Sequence, residues 1–213
     1  MIVTSLNEGW EIVYQRSHAL LAAQILASWQ EKYHPERWTE TLIALAQHDD
    51  QENYWGDTRH LTDLGAPLDF TQETTESTTI KAKFVIENAE RQGMWIALLI
   101  SRHTHFLHQR TDDKQMQDFL AEQEKKRHAW LEIIEISEAE LERTYTMMRW
   151  ADRLSLILCR RQLPERERWL EICKGPDGER HEVMQRENKT VNLRPWVLDT
   201  DEIDYSIEVR KLN

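Results

Sequence analysis

The sequence predicts a mainly α-helical protein with a small antiparallel β-sheet. Two observations lead to this fold class. Apolar residues recur at the three- and four-residue spacing of helices in most of residues 17–163. Segments with strand character are confined to residues 1–14 and 164–213. We therefore expect a single domain over residues 1–213, with a helical body in residues 1–163 and a β-rich C-terminal extension.

The helices follow from apolar periodicity and from the residues that interrupt it. His18, Leu21 and Ile25 share one face of the first predicted helix, and Pro35 separates this helix from the second. Ser137 begins the sequence Ser-Glu-Ala-Glu, a capping box that opens the last helix. The helix at 112–127 is heavily charged, and we expect it to be solvated. The predicted helices are residues 17–32, 36–50, 74–92, 94–109, 112–127 and 137–163.

The strands follow from short β-type runs at both ends of the chain. Residues 1–3 and 10–14 read as a hairpin with Asn-Glu-Gly at residues 7–9 as its turn. The predicted strands of the tail are residues 169–174, 180–185, 190–193 and 205–210. We expect these strands to pair with the hairpin in one small sheet. Residues 50–74 form a long irregular segment, and loops of this length are often functional.

Composition excludes several classes of partner. Charged residues make up 31% and hydrophobic residues 40% of the chain, which is typical of a soluble globular protein. The formal net charge of −11 argues against duplex nucleic acid or an anionic membrane as the main partner. A small phosphorylated ligand stays compatible with this charge, because a bound metal can reverse the local sign of a pocket. The composition does not predict an oligomeric state.

The number of cysteines and the length of the apolar runs indicate the cellular compartment to expect. The chain has two cysteines, and Cys159 lies on an apolar helical face, as expected of a small buried hydrophobic residue rather than a disulfide partner. Residues 1–4 do not resemble the start of a secretory signal. The longest apolar run, residues 94–100, is too short to span a bilayer. We therefore expect a cytoplasmic protein.

A carboxylate on an apolar stripe is the first sign of a functional site. Asp152 lies on the same helical face as Tyr145, Met148 and Cys159, and a buried carboxylate is costly unless a positive group meets it. Three other predicted helices carry histidines or carboxylates that also face inward. These candidate metal ligands are His18, His48, Asp49 and His103. Such donors suit a divalent transition metal, namely Fe, Mn, Co, Ni or Zn.

Each of these residues also has an ordinary structural interpretation. His18 could be a histidine of a helix N-terminus that is bonded to the backbone, and the His48–Asp49 pair could end a helix and cap the following loop. Asp152 could form a buried salt bridge with Arg16 or Arg149. His103 follows Leu99 at i+4 and points inward, but it could support a ligand or simply be packed.

Other histidines and acidic residues carry weaker signals. His105 and His108 are spaced i, i+3 on a predicted helix and could bind a metal, although surface roles are common for such pairs. His60 lies in the long segment and could reach over a pocket. An acidic cluster follows the His–Asp pair, and it is either a solvated loop or a hydrogen-bonding support for a ligand histidine. It consists of Asp50, Glu52 and Asp57.

The order of these ligands resembles the HD superfamily of metal-dependent phosphohydrolases. The finer match is to the bacterial family called domain of unknown function 3891, and it covers nearly the full chain. It is carried by residues 15–19 (Gln-Arg-Ser-His-Ala), 46–50 (Ala-Gln-His-Asp-Asp), 99–103 (Leu-Ile-Ser-Arg-His), 150–159 (Trp-Ala-Asp-Arg-Leu-Ser-Leu-Ile-Leu-Cys) and 194–196 (Arg-Pro-Trp). The resemblance implies an HD-domain-like helical bundle with a metal ion held by His18, His48, Asp49 and Asp152. Many two-metal HD proteins place a further histidine on the helix that here spans residues 74–92, which has none.

Three functional hypotheses follow. The first is a metal-dependent hydrolase of a small phosphorylated compound or nucleotide, with Asp49 and Arg149 as the candidate catalytic residues. Arg16, Arg102 and Arg153 are further candidates for phosphate contacts. The second is an oxygenase that uses two irons and O₂, since some HD-fold proteins resemble di-iron oxygenases. Two irons would need His103 and one more ligand. The third is a non-catalytic binding or sensing protein, in which the pocket holds a ligand or the metal only braces the helices.

Overall fold

The body of the protein consists of α-helices. The computed structural model describes residues 1–50, 60–72 and 75–212, and the side chains of residues 75–77 are outside this description. Short 3₁₀ turns lie at Glu31–Tyr33 and Phe70–Gln72. The helices α1 to α6 of the described part span Gln15–Ala27, Trp38–Gln47, Thr75–Glu90, Met94–His108, Lys114–Ile134 and Glu138–Cys159. The predicted helices are present, with ends that differ by a few residues.

Four helices meet in the centre of the body. α1 packs against α2 and α6, while α4 packs against α2, α3, α5 and α6. α4 is enclosed along most of its length, because every residue from 95 to 101 is buried. Its neighbours bury Leu26, Leu45 and Trp150 against the same core. Polar side chains on the facing surfaces of α1, α2, α4 and α6 are therefore held in one interior region.

The strands form two sheets instead of the single sheet that was predicted. The first sheet has the order β1 (Ile2–Ser5), β2 (Trp10–Val13) and β6 (Arg210–Leu212). The hairpin was predicted correctly: Gly9, at φ +85°, accepts a hydrogen bond from the Leu6 N–H in its turn. The predicted strand at residues 205–210 is wrong, because strand pairing starts only at Arg210, opposite Ile12.

The second sheet is built from the C-terminal extension alone. It contains β3 (Leu170–Lys174), β4 (Arg180–Gln185) and β5 (Val191–Arg194), all antiparallel and in sequential order. Short connections join these strands, and Gly178 at φ +80° turns the first of them. Closing a short loop costs little entropy, so these strands pair with one another and not with the distant hairpin.

The second sheet packs on the helices through Ile172, Val183 and a buried histidine. His181 of β4 stacks on Trp29 with ring centroids 6.3 Å apart and meets Trp150 of α6 edge-on at 6.0 Å. Its Nε2 contacts the Asp177 carboxylate at 3.2 Å. A Cβ on Gly175 would lie only 2.1 Å from His181 Nε2. Only glycine therefore fits at position 175 while the imidazole stays in this place.

Helix α5 is less exposed than its charge predicts. The prediction of a solvated helix at residues 112–127 was wrong in two ways, since the helix continues to Ile134 and buries one side. Arg127 donates to the Ser101 hydroxyl at 3.0 Å, and this hydroxyl donates to the Gln123 side chain at 3.3 Å. Within the described residues, no helix combines the length and apolar character that crossing a bilayer requires.

Candidate metal centre

Three helices bring four of the predicted ligands together. His18 lies in the first turns of α1, and its ring is completely buried. His48 and Asp49 directly follow the last residue of α2. Asp152 lies in the middle of α6. This arrangement follows from the packing of α1 against both α2 and α6, because each ligand lies where its helix faces the other two.

Four side-chain atoms of these residues form a closed set that we call the ligand quartet. Two histidine nitrogens alternate with two carboxylate oxygens. The distances are 2.7 Å from His18 Nε2 to Asp49 Oδ2 and 3.5 Å from Asp49 Oδ2 to His48 Nε2. They are 3.2 Å from His48 Nε2 to Asp152 Oδ1 and 3.9 Å from Asp152 Oδ1 back to His18 Nε2. The carboxylate side chains are 13% and 12% exposed, whereas both imidazoles are fully enclosed. The quartet consists, in order, of His18 Nε2, Asp49 Oδ2, His48 Nε2 and Asp152 Oδ1.

The outward nitrogens of both histidines are held by hydrogen bonds. Nδ1 of His48 donates to the backbone carbonyl of Leu45 at 2.6 Å. Nδ1 of His18 lies 2.9 Å from the Ser155 hydroxyl, which itself donates to the carbonyl of Asp152 at 2.8 Å. The Ser155 oxygen is thus an acceptor for His18. In the neutral tautomer, each ring then presents its Nε2 lone pair to the quartet, as metal-binding histidines do.

His103 of α4 extends the centre. One ligand atom from each of His48, His103 and Asp152 lies within 4.8 Å of the others. The rings of His103 and His48 meet edge-on at 4.8 Å, and His103 is only 3% exposed. A second such group consists of His18, His48 and Asp49, so His48 belongs to both. The five predicted ligands therefore lie in two groups of three that share His48.

The charges of the centre shift the pKa values of its members in opposite directions. Burial alone would lower the pKa of His48, but the Asp49 charge and the hydrogen bond to Asp152 outweigh it and raise the pKa to about 9. Burial opposes the ionisation of Asp49 and Asp152, yet the contacts with His48 hold the pKa of both carboxyl groups below the usual range. Burial, followed by repulsion from His48, lowers the pKa of His103 to about 4. The metal-free centre at neutral pH thus holds two carboxylates and a protonated His48.

The donor set and its spacing fit a divalent transition metal. Histidine nitrogens and carboxylate oxygens bind such ions at about 2.0–2.2 Å, so neighbouring ligand atoms are separated by about 3.0–3.5 Å. The quartet distances of 2.7 to 3.9 Å scatter around this range. Imidazole nitrogens favour Fe, Co, Ni or Zn over Mg or Ca. The partial exposure of the carboxylates leaves one side of the centre open to water.

The arginines do not take up Asp152 as a salt-bridge partner. Among the described contacts, Asp152 meets His48 and His18. Arg16 instead pairs with Asp50 on the surface. The guanidinium of Arg149 lies 5.2 Å from the centroid of the Phe106 ring. The alternative of a buried Asp–Arg pair is therefore not what the described part of the chain forms.

The remaining candidate arginines differ in whether their guanidinium groups are exposed or already paired. Arg102 forms a two-bond ion pair with Glu142, which neutralises its charge. Arg153 is exposed. Arg149 is half-buried, and its Nε has no hydrogen-bond partner in the described structure. Of these residues, Arg149 is the one with a buried donor that has no described hydrogen-bond partner, although its guanidinium also lies beside the Cys173 thiol.

The weaker histidine and acidic signals lie apart from the centre. His105 contacts Arg127 at 3.5 Å, and neither described ligand group contains His105, His108 or His60. Asp50 is engaged by Arg16, while Glu52 and Asp57 lie outside the described residues. The acidic cluster therefore supplies no described contact to a ligand histidine.

Three supporting residues were not identified from the sequence. Ser155 holds His18, Gln15 donates to Asp49 Oδ2 at 3.3 Å, and the Tyr145 hydroxyl lies 3.3 Å from Nδ1 of His103. Helical spacing contained part of this information. Ser155 follows Asp152 by three residues and Tyr145 precedes it by seven, so both share the Asp152 face of α6.

Comparison with known proteins gives a family and no activity. A family model described as a protein of unknown function (DUF3891) matches residues 1–213. No curated protein and no solved structure matches the chain. Since the match extends over the whole sequence, the chain belongs to the DUF3891 family.

Proposed function

We propose that this protein is a metal-dependent hydrolase of phosphoesters, acting on a small phosphorylated compound or a nucleotide. The observation that carries the proposal is the ligand quartet, in which two buried imidazoles with fixed outward nitrogens alternate with two carboxylates. The order of these ligands along the chain, which resembles the HD phosphohydrolases, supports the same chemistry. A bound divalent metal would lower the pKa of a coordinated water and polarise a phosphoryl oxygen.

The protein residues have distinct tasks in this proposal. His18, His48 and Asp152 would hold the metal. Asp49 completes the set, and its carboxylate, kept ionised by His48 and partly exposed, can accept a hydrogen bond from the attacking water and orient it. Its depressed pKa makes it a poor proton acceptor, so orientation is the role we assign to it.

Arg149 is the candidate for binding the phosphate group. It lies one helical turn before Asp152 and therefore on the same side of α6. Its Nε is buried without a partner in the described structure, and a buried donor of this kind gains most from an anionic acceptor. A phosphoryl oxygen at this nitrogen would share its negative charge with the guanidinium as charge develops during hydrolysis.

The test combines metal analysis with activity. Protein purified anaerobically should contain metal, and the metal-loaded protein should release phosphate or nucleoside from members of a phosphoester panel. His18→Gln should lose both properties. Arg149→Met should keep the metal and lose activity by about a hundredfold or more, as expected for a charge contact in the transition state. Metal-loaded protein that is inert across the panel would indicate that the ion only braces the helices.

A further inference from the structure

Tyr145 has no task in the proposed hydrolysis, yet it contacts the metal centre. It is 2% exposed on α6, and its hydroxyl lies 3.3 Å from Nδ1 of His103 on α4. The His103 ring is itself 3% exposed and meets His48 edge-on. The phenol therefore ends a row of buried rings that begins at His18 and passes through His48 and His103.

The hydroxyl occupies the position that an outward hydrogen-bond partner takes in a metal-binding histidine. A neutral imidazole that binds a metal through one nitrogen carries its hydrogen on the other, and this N–H needs an acceptor when it is buried. Ser155 supplies that acceptor for His18, and the Leu45 carbonyl supplies it for His48. The Tyr145 hydroxyl lies 3.3 Å from Nδ1 of His103, so it is placed to act in the same way and to leave Nε2 as the nitrogen for a metal ion.

Neighbouring residues fix the phenol in place. The Arg102 guanidinium lies over the Tyr145 ring at 4.7 Å from its centroid, and Phe106 meets the ring edge-on at 6.1 Å. Arg102 is in turn bound to Glu142, one turn before Tyr145 on α6. Arg102 also precedes His103 directly in the sequence. The contact between α4 and α6 thus holds the Tyr145 hydroxyl and the His103 imidazole next to each other.

We propose that Tyr145 is a positioning residue of the metal centre: its hydroxyl accepts the Nδ1 hydrogen of His103 and so presents Nε2 of His103 as a fifth protein ligand. This inference rests on the proposed metal centre. A set of three imidazoles and two carboxylates selects a transition metal and discriminates against Mg and Ca. The centre is then more nitrogen-rich than the ligand quartet alone.

The direct test removes one oxygen atom. Tyr145→Phe should bind Co²⁺ or Zn²⁺ about 10- to 100-fold more weakly than the wild type in a chelator competition, the range typical for loss of an outer hydrogen-bond partner. Tyr33→Phe is the matched control, because Tyr33 packs against Trp29 away from the centre, and its affinity should be unchanged. Equal affinities for Tyr145→Phe and wild type would overturn the inference.

A spectroscopic measurement on the wild type tests the same inference without a substitution that could disturb folding. Long-range ¹H–¹⁵N correlation of the Zn²⁺-loaded protein should show His103 protonated at Nδ1 and coordinated at Nε2. A His103 protonated at Nε2, or unaffected by Zn²⁺, would overturn the inference while leaving the quartet intact. Wild-type protein that binds no metal would instead remove the proposed function and this inference together.

Discussion

At the scale of single residues, the centre is a buried cluster in which the positive charge of His48 lies between the negative charges of Asp49 and Asp152. His48 contacts both carboxylates of the quartet, at 3.5 Å to Asp49 and 3.2 Å to Asp152, and its pKa is raised by them. Burial of one such charge without partners would be very unfavourable, and the alternation of cation and anions removes this cost. A metal ion can replace the His48 proton in this cluster, because it also supplies positive charge between the two carboxylates.

The first prediction concerns the proton that a metal ion displaces. Since the pKa of His48 is about 9 in the metal-free protein, binding of Zn²⁺ at pH 7 should release about one proton, and affinity should rise about tenfold per pH unit up to about pH 9. Calorimetric titration in buffers with different ionisation enthalpies measures this number. A binding enthalpy that is the same in all buffers would contradict it.

The raised pKa of His48 also makes the stability of the metal-free protein depend on pH. A raised pKa stabilises the folded state fully below the unfolded value of 6.5, and this contribution disappears as pH rises through about 9. The depressed pKa values of Asp49 and Asp152 act in the opposite direction, since their contribution is lost as pH falls below the usual carboxyl range. The lowered pKa of His103 also costs stability as pH falls below its unfolded value of 6.5, so the chelated protein should be most stable near pH 6.5.

The second prediction separates Asp152 from a neighbouring surface carboxylate. Asp152→Asn should weaken metal binding by at least about a hundredfold, because it removes a charged ligand and loss of a mere supporting contact already costs 10- to 100-fold. Asp50→Asn is the control, since Asp50 pairs with Arg16 and belongs to neither ligand group. Metal content after dialysis measures the effect. Equal metal retention in both variants would exclude Asp152 as a ligand.

The proximity of the candidate ligands could be predicted from sequence, because they are polar residues on, or at the end of, apolar helical faces. Asp152 among Tyr145, Met148 and Cys159 is the clearest case. The supporting contacts could not be predicted in this way. Tyr145 looks like an ordinary core residue of α6, and only the packing of α4 shows that its hydroxyl meets His103. Arg127 was assigned to the solvent for a similar reason, because its buried partner Ser101 lies on another helix.

At the scale of elements, the helices and the N-terminal hairpin were predictable, whereas the arrangement of the other strands in sheets was predictable only in part. A helix closes its hydrogen bonds within one segment, so periodicity and the Ser137 cap, which accepts the Glu140 N–H at 3.2 Å, were sufficient for α6. A strand needs a partner from elsewhere. β6 pairs with β2 from the opposite end of the chain, and no local pattern indicates that β3–β5 form a separate sheet.

The third prediction tests how the second sheet is attached. Gly175→Ala should lower the free energy of unfolding by about 1–3 kcal/mol, because the added methyl group displaces His181 from its site between Trp29 and Trp150. Gly93→Ala is the control, since a Cβ there has open space, and its effect should be small. Urea denaturation compares the two. Equal stability of both variants would show that His181 can move freely.

At the scale of the whole molecule, the candidate centre connects helices that are distant in sequence. The quartet joins α1, the end of α2 and α6, and His103 adds α4. These helices also carry much of the apolar core, so the centre lies beside it. An ion bound there stabilises the folded chain in proportion to its occupancy, since the unfolded chain has no assembled site.

The fourth prediction follows from this linkage. With free Zn²⁺ at about 100 times its dissociation constant, the wild type should gain about 2.7 kcal/mol of stability over the chelated protein. For a chain of this length, that corresponds to a rise in melting temperature of about 5–10 °C. His18→Gln removes one quartet ligand and should melt at nearly the same temperature with chelator or metal. Differential scanning calorimetry of both proteins measures the difference, and an equal metal-induced rise in His18→Gln would place the ion outside the quartet.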